Sequence, residues 1–220
     1  MPKGFFTELL PQIKQNSPYP MSCYDVKSGI LLERILDFHV RPIGNRILDP
    51  TCGTKHIWEG FIDTTYDIVY SDIIDYGHNI VSDLNDLQFD KLFHGIVFDP
   101  PYLFGIKNSK DIREDEYGGY AQTYDDLVAL MTKARDKLFT LLVNKGILIL
   151  KCQDMFHLQT RKFYALHVDW INLYSKLFNL KDIFINRYHH ISPTAFQVKN
   201  RPCNVINHSY YIIFQKLGRE

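Results

Sequence analysis

Cysteine is scarce and scattered in this chain of 220 residues: Cys23, Cys52, Cys152 and Cys203 form no C-x-x-C pair. That usage argues against the paired-cysteine zinc patterns and a disulfide framework, so no metal site is expected. Reduced thiols in a cytoplasmic protein are. No apolar run approaches the roughly 18 residues of a membrane span, so no membrane partner is expected. Met1 to Lys14 lack the apolar core and small-residue cleavage site of a signal peptide. Two phosphate-binding signatures are also missing. There is no G-x-G-x-x-G and no G-K-[ST], which disfavours a pyrophosphate or triphosphate ligand. Internal repeats, low-complexity segments and a large inserted region are absent.

Net charge is zero, but it is unevenly spread. Residues 1–132 hold 11 Lys/Arg against 20 Asp/Glu, and residues 133–220 hold 14 against 5. A basic half can face a polyanion such as nucleic acid while acidic groups line a pocket. With 45% hydrophobic residues, the chain has apolar material for one domain with a full core.

The apolar pattern predicts an α/β fold. Residues 1–28 are rich in Pro, Tyr and polar residues and read as an irregular arm, and Gly29 to Val40 has helical spacing. Short buried strands are expected at Arg46 to Asp49, Tyr66 to Ser71, Asn79 to Val81 and Gly95 to Phe98. A helix over Tyr124 to Val143, a strand at Ile147 to Leu150 and a helix over about Tyr164 to Phe178 follow. Strands at Asp182 to Ile185 and Tyr210 to Gln215 close the chain. Unbroken apolar strands alternating with helices imply a mainly parallel sheet covered on both faces.

Acids recur where the strands end. The turn Asp49-Pro50-Thr51-Cys52-Gly53-Thr54 follows the first main strand. Its acid suits a cationic amino group, and Gly53 permits close approach of backbone to ligand. Asp72 ends the second strand, at about the interval where a carboxylate binds ribose hydroxyls in doubly wound folds. Asp83 follows the third and can accept from an adenine amine.

The fourth strand ends in Asp99-Pro100-Pro101-Tyr102. The prolines stop both sheet and helix. A carboxylate, a free carbonyl and a ring then converge at the carboxyl edge of the sheet. The exocyclic amine of adenine or cytosine is a poor nucleophile because its lone pair is delocalised into the ring. Hydrogen bonds from its two N–H groups to Asp99 and the Pro100 carbonyl would draw that nitrogen toward tetrahedral geometry. Tyr102 would stack on the base, a contact worth roughly 1–3 kcal/mol in single-strand binders.

Together these pieces resemble the S-adenosylmethionine-dependent amino-methyltransferases that modify adenine N6 or cytosine N4 in nucleic acids, over roughly residues 25–216. The resemblance implies a Rossmann-like methyltransferase fold, a seven-stranded mainly parallel sheet whose last strand is reversed. It implies S-adenosyl-L-methionine as cofactor, with Asp49, Thr51 and Gly53 at its methionine part, Asp72 at its ribose and Asp83 at its adenine. Asp99, Pro100 and Tyr102 would hold the target amine, with Pro101 beside them. Asp at the first motif position favours adenine, and DNA is favoured over RNA as partner. Open alternatives are an RNA adenine or protein amide substrate, or a catalytically silent binding subunit. The first loop departs from many relatives in lacking a second glycine.

Two further segments read as substrate loops. Residues 103–122 offer Tyr117 and Tyr120 beside a Gly118-Gly119 hinge. Residues 188–208 mix Lys199 and Arg201 with aromatics, as a phosphate-and-base surface would.

Overall fold

A computed structural model describes residues 21–105, 121–157, 160–187 and 206–218. Its main sheet contains β1 (Cys23–Tyr24), β2 (Arg46–Asp49), β3 (Asp67–Asp72), β4 (Ile80–Val81), β5 (Phe93–Phe98), β6 (Leu142–Cys152), β9 (Phe178–Arg187) and β10 (His208–Lys216). The order across the sheet is β4-β3-β2-β5-β6-β10-β9-β1. The strands from β4 through β6 pair in parallel, whereas β10 is antiparallel to both β6 and β9. The reversed last strand expected from the sequence is present.

The strand count differs from the expected seven. The eighth, β1, lies in what the sequence suggested was irregular arm and pairs with β9 at the sheet edge. Too short to show a period, it is held by tertiary contacts. The buried Asn186 side chain donates to Val26 O at 3.0 Å and accepts from Val26 N at 3.3 Å.

Pleat alternation splits each central strand between two cores. Leu48, Ile96, Phe98, Leu148, Leu150, Ile212 and Phe214 pack on α2 (Tyr124–Leu141) and α3 (Leu166–Tyr174). Ile47, Val97, Ile147, Ile149, Tyr211 and Ile213 face α1 (Ser28–Ile35) and the π-helical turn Leu36–Val40 that continues it. Helix α2 begins at a capping box in which Thr123 Oγ1 accepts from Asp126 N–H and the Asp126 carboxylate accepts from Thr123 N–H.

The three helices expected from the sequence are present, the last of them shortened. Between β2 and β3 there is only a 3₁₀ turn at His56–Trp58, and between β4 and β5 another at Leu84–Asp86. Aromatic packing covers the link after β2, with Trp58 edge-on to Phe61 and Tyr70. The expected helix from Tyr164 is shorter because Lys162–Tyr164 (β8) pairs with Met155–His157 (β7) as a hairpin. At its other end, Phe178 already opens β9.

Gly29 joins α1 to the Trp58 turn. Its N–H donates to Glu59 O at 3.0 Å, and a Cβ there would lie 2.4 Å from Trp58 O and 2.5 Å from Phe61 N. Both are backbone atoms that cannot swing aside. Gly29→Ala is therefore expected to destabilise the protein by about 1–3 kcal/mol, the usual range for overpacking. An unchanged denaturant midpoint would exclude that close contact.

Candidate functional site

The strands from β4 through β6 all present their carboxyl ends at one edge of the sheet. The chain runs outward from β2 to β3 and β4, then returns to place β5 on the other side of β2. The crevice at such a reversal is where open α/β sheets bind ligands. It holds a cavity of about 600 Å³, bounded by residues 50–54 after β2, Asp72 and Ile73 after β3, and Asp83 to Asn85 after β4. Phe98 to Pro101 after β5 and Lys151 of β6 complete it with the Leu127, Leu130, Met131 and Ala134 face of α2. That volume is of the size that takes a cofactor or a drug-sized ligand.

Thr51, Gly53, Asp72, Asp83, Asp99, Pro100 and Pro101, all singled out from the sequence, line this cavity together. Hydrogen bonds tie their loops to one another. Asp72 Oδ2 accepts from Gly53 N at 2.9 Å while its Oδ1 accepts from Ile74 N at 3.1 Å. Thr51 Oγ1 accepts from Asp99 N at 3.0 Å and so bridges the loop after β2 to the one after β5. Gly53 has φ +47°, and a Cβ on it would meet nothing within 4 Å, so the backbone there is bare toward the cavity. Asp83 caps the following 3₁₀ turn, its Oδ1 accepting from Asn85 N at 2.8 Å.

Asp49 and Tyr102 are not in the lining. Asp49 shares the pleat face of Ile47, which looks toward α1, and it is fully buried. Its Oδ2 accepts from Trp58 Nε1 at 2.6 Å and its Oδ1 from Thr51 N at 3.1 Å. It sits beneath the first loop and is bonded to it. Tyr102 packs its ring against the α2-side core, and its hydroxyl donates to Gln153 Oε1 at 3.3 Å. Tyr117, Tyr120, Lys199 and Arg201 lie outside the described residues, as do the Gly118-Gly119 hinge and residues 1–20 of the arm.

Burial pushes the Asp49 carboxyl up to about 7, against the opposing pull of the Trp58 and Thr51 hydrogen bonds. Between about pH 4 and 7 the unfolded chain has released this proton while the folded protein retains it. Stability contributed by this group is full below that window, falls as pH rises through it and levels off above. Asp49→Asn is neutral throughout and can still accept the indole N–H. Thermal unfolding from pH 4 to 8 is expected to show a flatter decline in that variant than in wild type. Parallel curves would refute the assignment.

Sequence reasoning missed Lys151. Its Nζ donates to Asp99 Oδ2 at 2.6 Å, with side chains only 13% and 23% exposed. The rule that picked out Asp72 and Asp99, a polar residue closing a buried strand, applies equally to Lys151 after Ile147 to Leu150. The apolar lining from α2, with Ile73, Tyr76 and Leu84, was also missed, because helical spacing shows a buried face without showing what covers it. Cys52 lines the wall as a neutral thiol, pushed up to about 12 by burial and then by the Asp49 and Asp72 carboxylates. Among the described residues no group of His, Cys, Asp or Glu is arranged to hold a metal ion. No described helix is long and apolar enough to cross a membrane.

The geometry matches the methyltransferase class of α/β fold. The N-methyltransferase NodS from Bradyrhizobium japonicum WM9 superposes with a TM-score of 0.52 at 11% identity, covering 88% of this chain and 98% of that one. The same protein in complex with S-adenosyl-L-homocysteine gives 0.50 at 12% identity, over 87% and 89% of the two chains. An rRNA methylase from Streptococcus thermophilus gives 0.46 at 15% identity, over 87% and 98%. The likeness to NodS shows the fold, a Rossmann-like methyltransferase fold. No protein-family model and no curated protein matches the sequence.

Proposed function

We propose that this chain is an S-adenosyl-L-methionine-dependent methyltransferase acting on an exocyclic amino group of a nucleic-acid base, adenine N6 in DNA foremost. The observation that carries this reading is the sharing of one cavity by two half-sites. The loop after β2 and Asp72 form one half, Asp99 and Pro100 form the other, and the Thr51–Asp99 hydrogen bond joins them.

The residues present fit such a cofactor. Around the cavity the carboxylates of Asp72, Asp83 and Asp99 outnumber the Lys151 ammonium, an electrostatic setting that favours a cationic ligand. Asp72 has lone pairs left for ribose hydroxyls after accepting two backbone N–H groups. Ile73, Leu84 and the α2 face offer apolar walls to an adenine ring, with Asp83 at its edge. When bound, S-adenosylmethionine supplies an electrophilic methyl group on a sulfur that leaves as a thioether.

The protein's part is to make the amine a nucleophile and aim it. Asp99 and the Pro100 carbonyl accept its two N–H bonds, localising the nitrogen lone pair toward the methyl carbon. As the N–C bond forms, the C–S pair departs with sulfur. The extra proton left on the methylated nitrogen would pass along its hydrogen bond to the Asp99 carboxylate and from there to water. For Tyr102 to stack on the base, its ring would have to leave the α2-side core, because it lies outside the lining. A base inside a duplex must first be flipped, at a cost of a few kcal/mol.

The test is transfer of labelled methyl from S-adenosylmethionine to DNA, RNA and protein pools, followed by nucleoside analysis. Labelled N6-methyladenine in DNA is the expected product. Label confined to RNA or to protein would reassign the substrate. No cofactor binding and no transfer to any pool would support a silent subunit instead.

A further inference from the structure

Lys151 is conspicuous because it meets the residue on which the proposed chemistry depends. It lies next to the end of β6, where Tyr211 of β10 is its register partner, and it reaches across to the end of β5. Both members of the Lys151–Asp99 pair line the cavity, and both are largely withdrawn from water. A pair of this kind is weak evidence of stabilisation, because desolvation offsets much of the attraction. Its position in the wall of the cavity points to recognition.

The pair offers a hydrogen-bond acceptor and a hydrogen-bond donor side by side. Asp99 can only accept when ionised, and Lys151 can only donate. That is the complement of an amino group beside an unprotonated ring nitrogen. Adenine presents this pattern, its N6 amine flanked by acceptor ring nitrogens. Enzymes that act on flipped bases read them through such edges.

Resting on the methyltransferase reading above, we infer that Lys151 is a specificity-determining residue that donates a hydrogen bond to the ring nitrogen flanking the target amine. Asp99 Oδ2 stays within reach of the ammonium, and Oδ1 takes the amine hydrogen. The lysine thus selects a base whose amine has an acceptor neighbour and sets that base in the plane where the amine faces the methyl donor. A simple alkylamine has no such neighbour and would gain nothing from the ammonium. If the lysine served only to hold Asp99, it would be indifferent to the ring atoms.

The experiment uses the full chain, S-adenosylmethionine and random-sequence oligonucleotides made with adenine, 1-deazaadenine or 7-deazaadenine. Wild type is expected to methylate adenine and one of the analogues, and to lose about 10-fold or more on the other, the cost of an unmet polar group at ~1.4 kcal/mol or above. Lys151→Met is expected to be slower on adenine and to lose that discrimination, while Lys151→Arg regains part of it. Calorimetric affinity for the cofactor should be the same in all three proteins. Equal rates of wild type on both analogues, or equal losses on both, would overturn the inference, and so would undiminished discrimination in Lys151→Met. These outcomes all require transfer to natural adenine by wild type; if that is missing, the adenine assignment of the proposed function fails instead. The analogue comparison in wild type needs no variant to fold.

Discussion

Asp99→Ala is expected to lower methyl transfer at least ~100-fold, the usual cost of removing one preorganised polar contact at a reacting atom. Cofactor affinity should hardly change. The carboxylate sits where the strand β5 has just ended, oriented by three constraints. Its own N–H is fixed by Thr51 Oγ1, the following prolines set the chain direction, and Lys151 holds Oδ2. It is a prepositioned acceptor, which is what an amine with a delocalised lone pair requires. The variant takes this carboxylate away from a largely buried Lys151, so a stability loss is expected beside the rate effect. Asp99→Ala/Lys151→Met separates the two, because it removes the buried ammonium together with its carboxylate and should recover stability but not activity. Retained turnover in Asp99→Ala, measured as labelled N-methyl product, would rule out the acceptor role.

Asp72→Ala is expected to weaken cofactor binding by about 10- to 100-fold, or roughly 1.4–2.8 kcal/mol. The effect has two sources. A carboxylate acceptor for the ribose is lost, and so is the clamp through which one side chain fixes Gly53 and Ile74. Charge-assisted bonds of this kind are about twice as strong as neutral ones. Asp72→Asn keeps an acceptor oxygen without the charge and should fall between the two. Titration calorimetry with S-adenosylmethionine or its demethylated product is the measurement. Wild-type affinity in Asp72→Ala would remove Asp72 from the cofactor site. The Asp99 and Asp72 variants should therefore separate cleanly, one losing rate and the other affinity.

Much of this could be read from the chain because the signals were local. Unbroken apolar runs at Arg46 to Asp49 and Gly95 to Phe98 mark buried parallel strands, and both are strands. The α2 periodicity was similarly legible, from Leu127 to Leu141. Where local signals were short or conflicting, reading failed. Strand β1 has two residues, and β8 takes the first residue of the helix expected from Tyr164.

Asp49 shows the limit most clearly. Its place after an apolar strand made it resemble Asp72 and Asp99, yet it is fully buried beneath the loop. Pleat parity puts it on the face of Ile47. That face becomes the inside of the protein only once α1 and Trp58 pack there.

By itself, then, the sequence determined the α/β class, the strand ends and the residue types available at them. Strand formation and chain reversal follow from neighbouring residues: apolar runs, prolines and the spacing of acids. Tertiary structure decided which strand ends meet. The order β4-β3-β2-β5-β6 brings Asp72, Asp83, Asp99 and Lys151 to one cavity across more than 75 residues of sequence, turns Asp49 away and pairs Asp99 with a lysine. Those outcomes depend on register and on packing between distant segments, which no local pattern encodes.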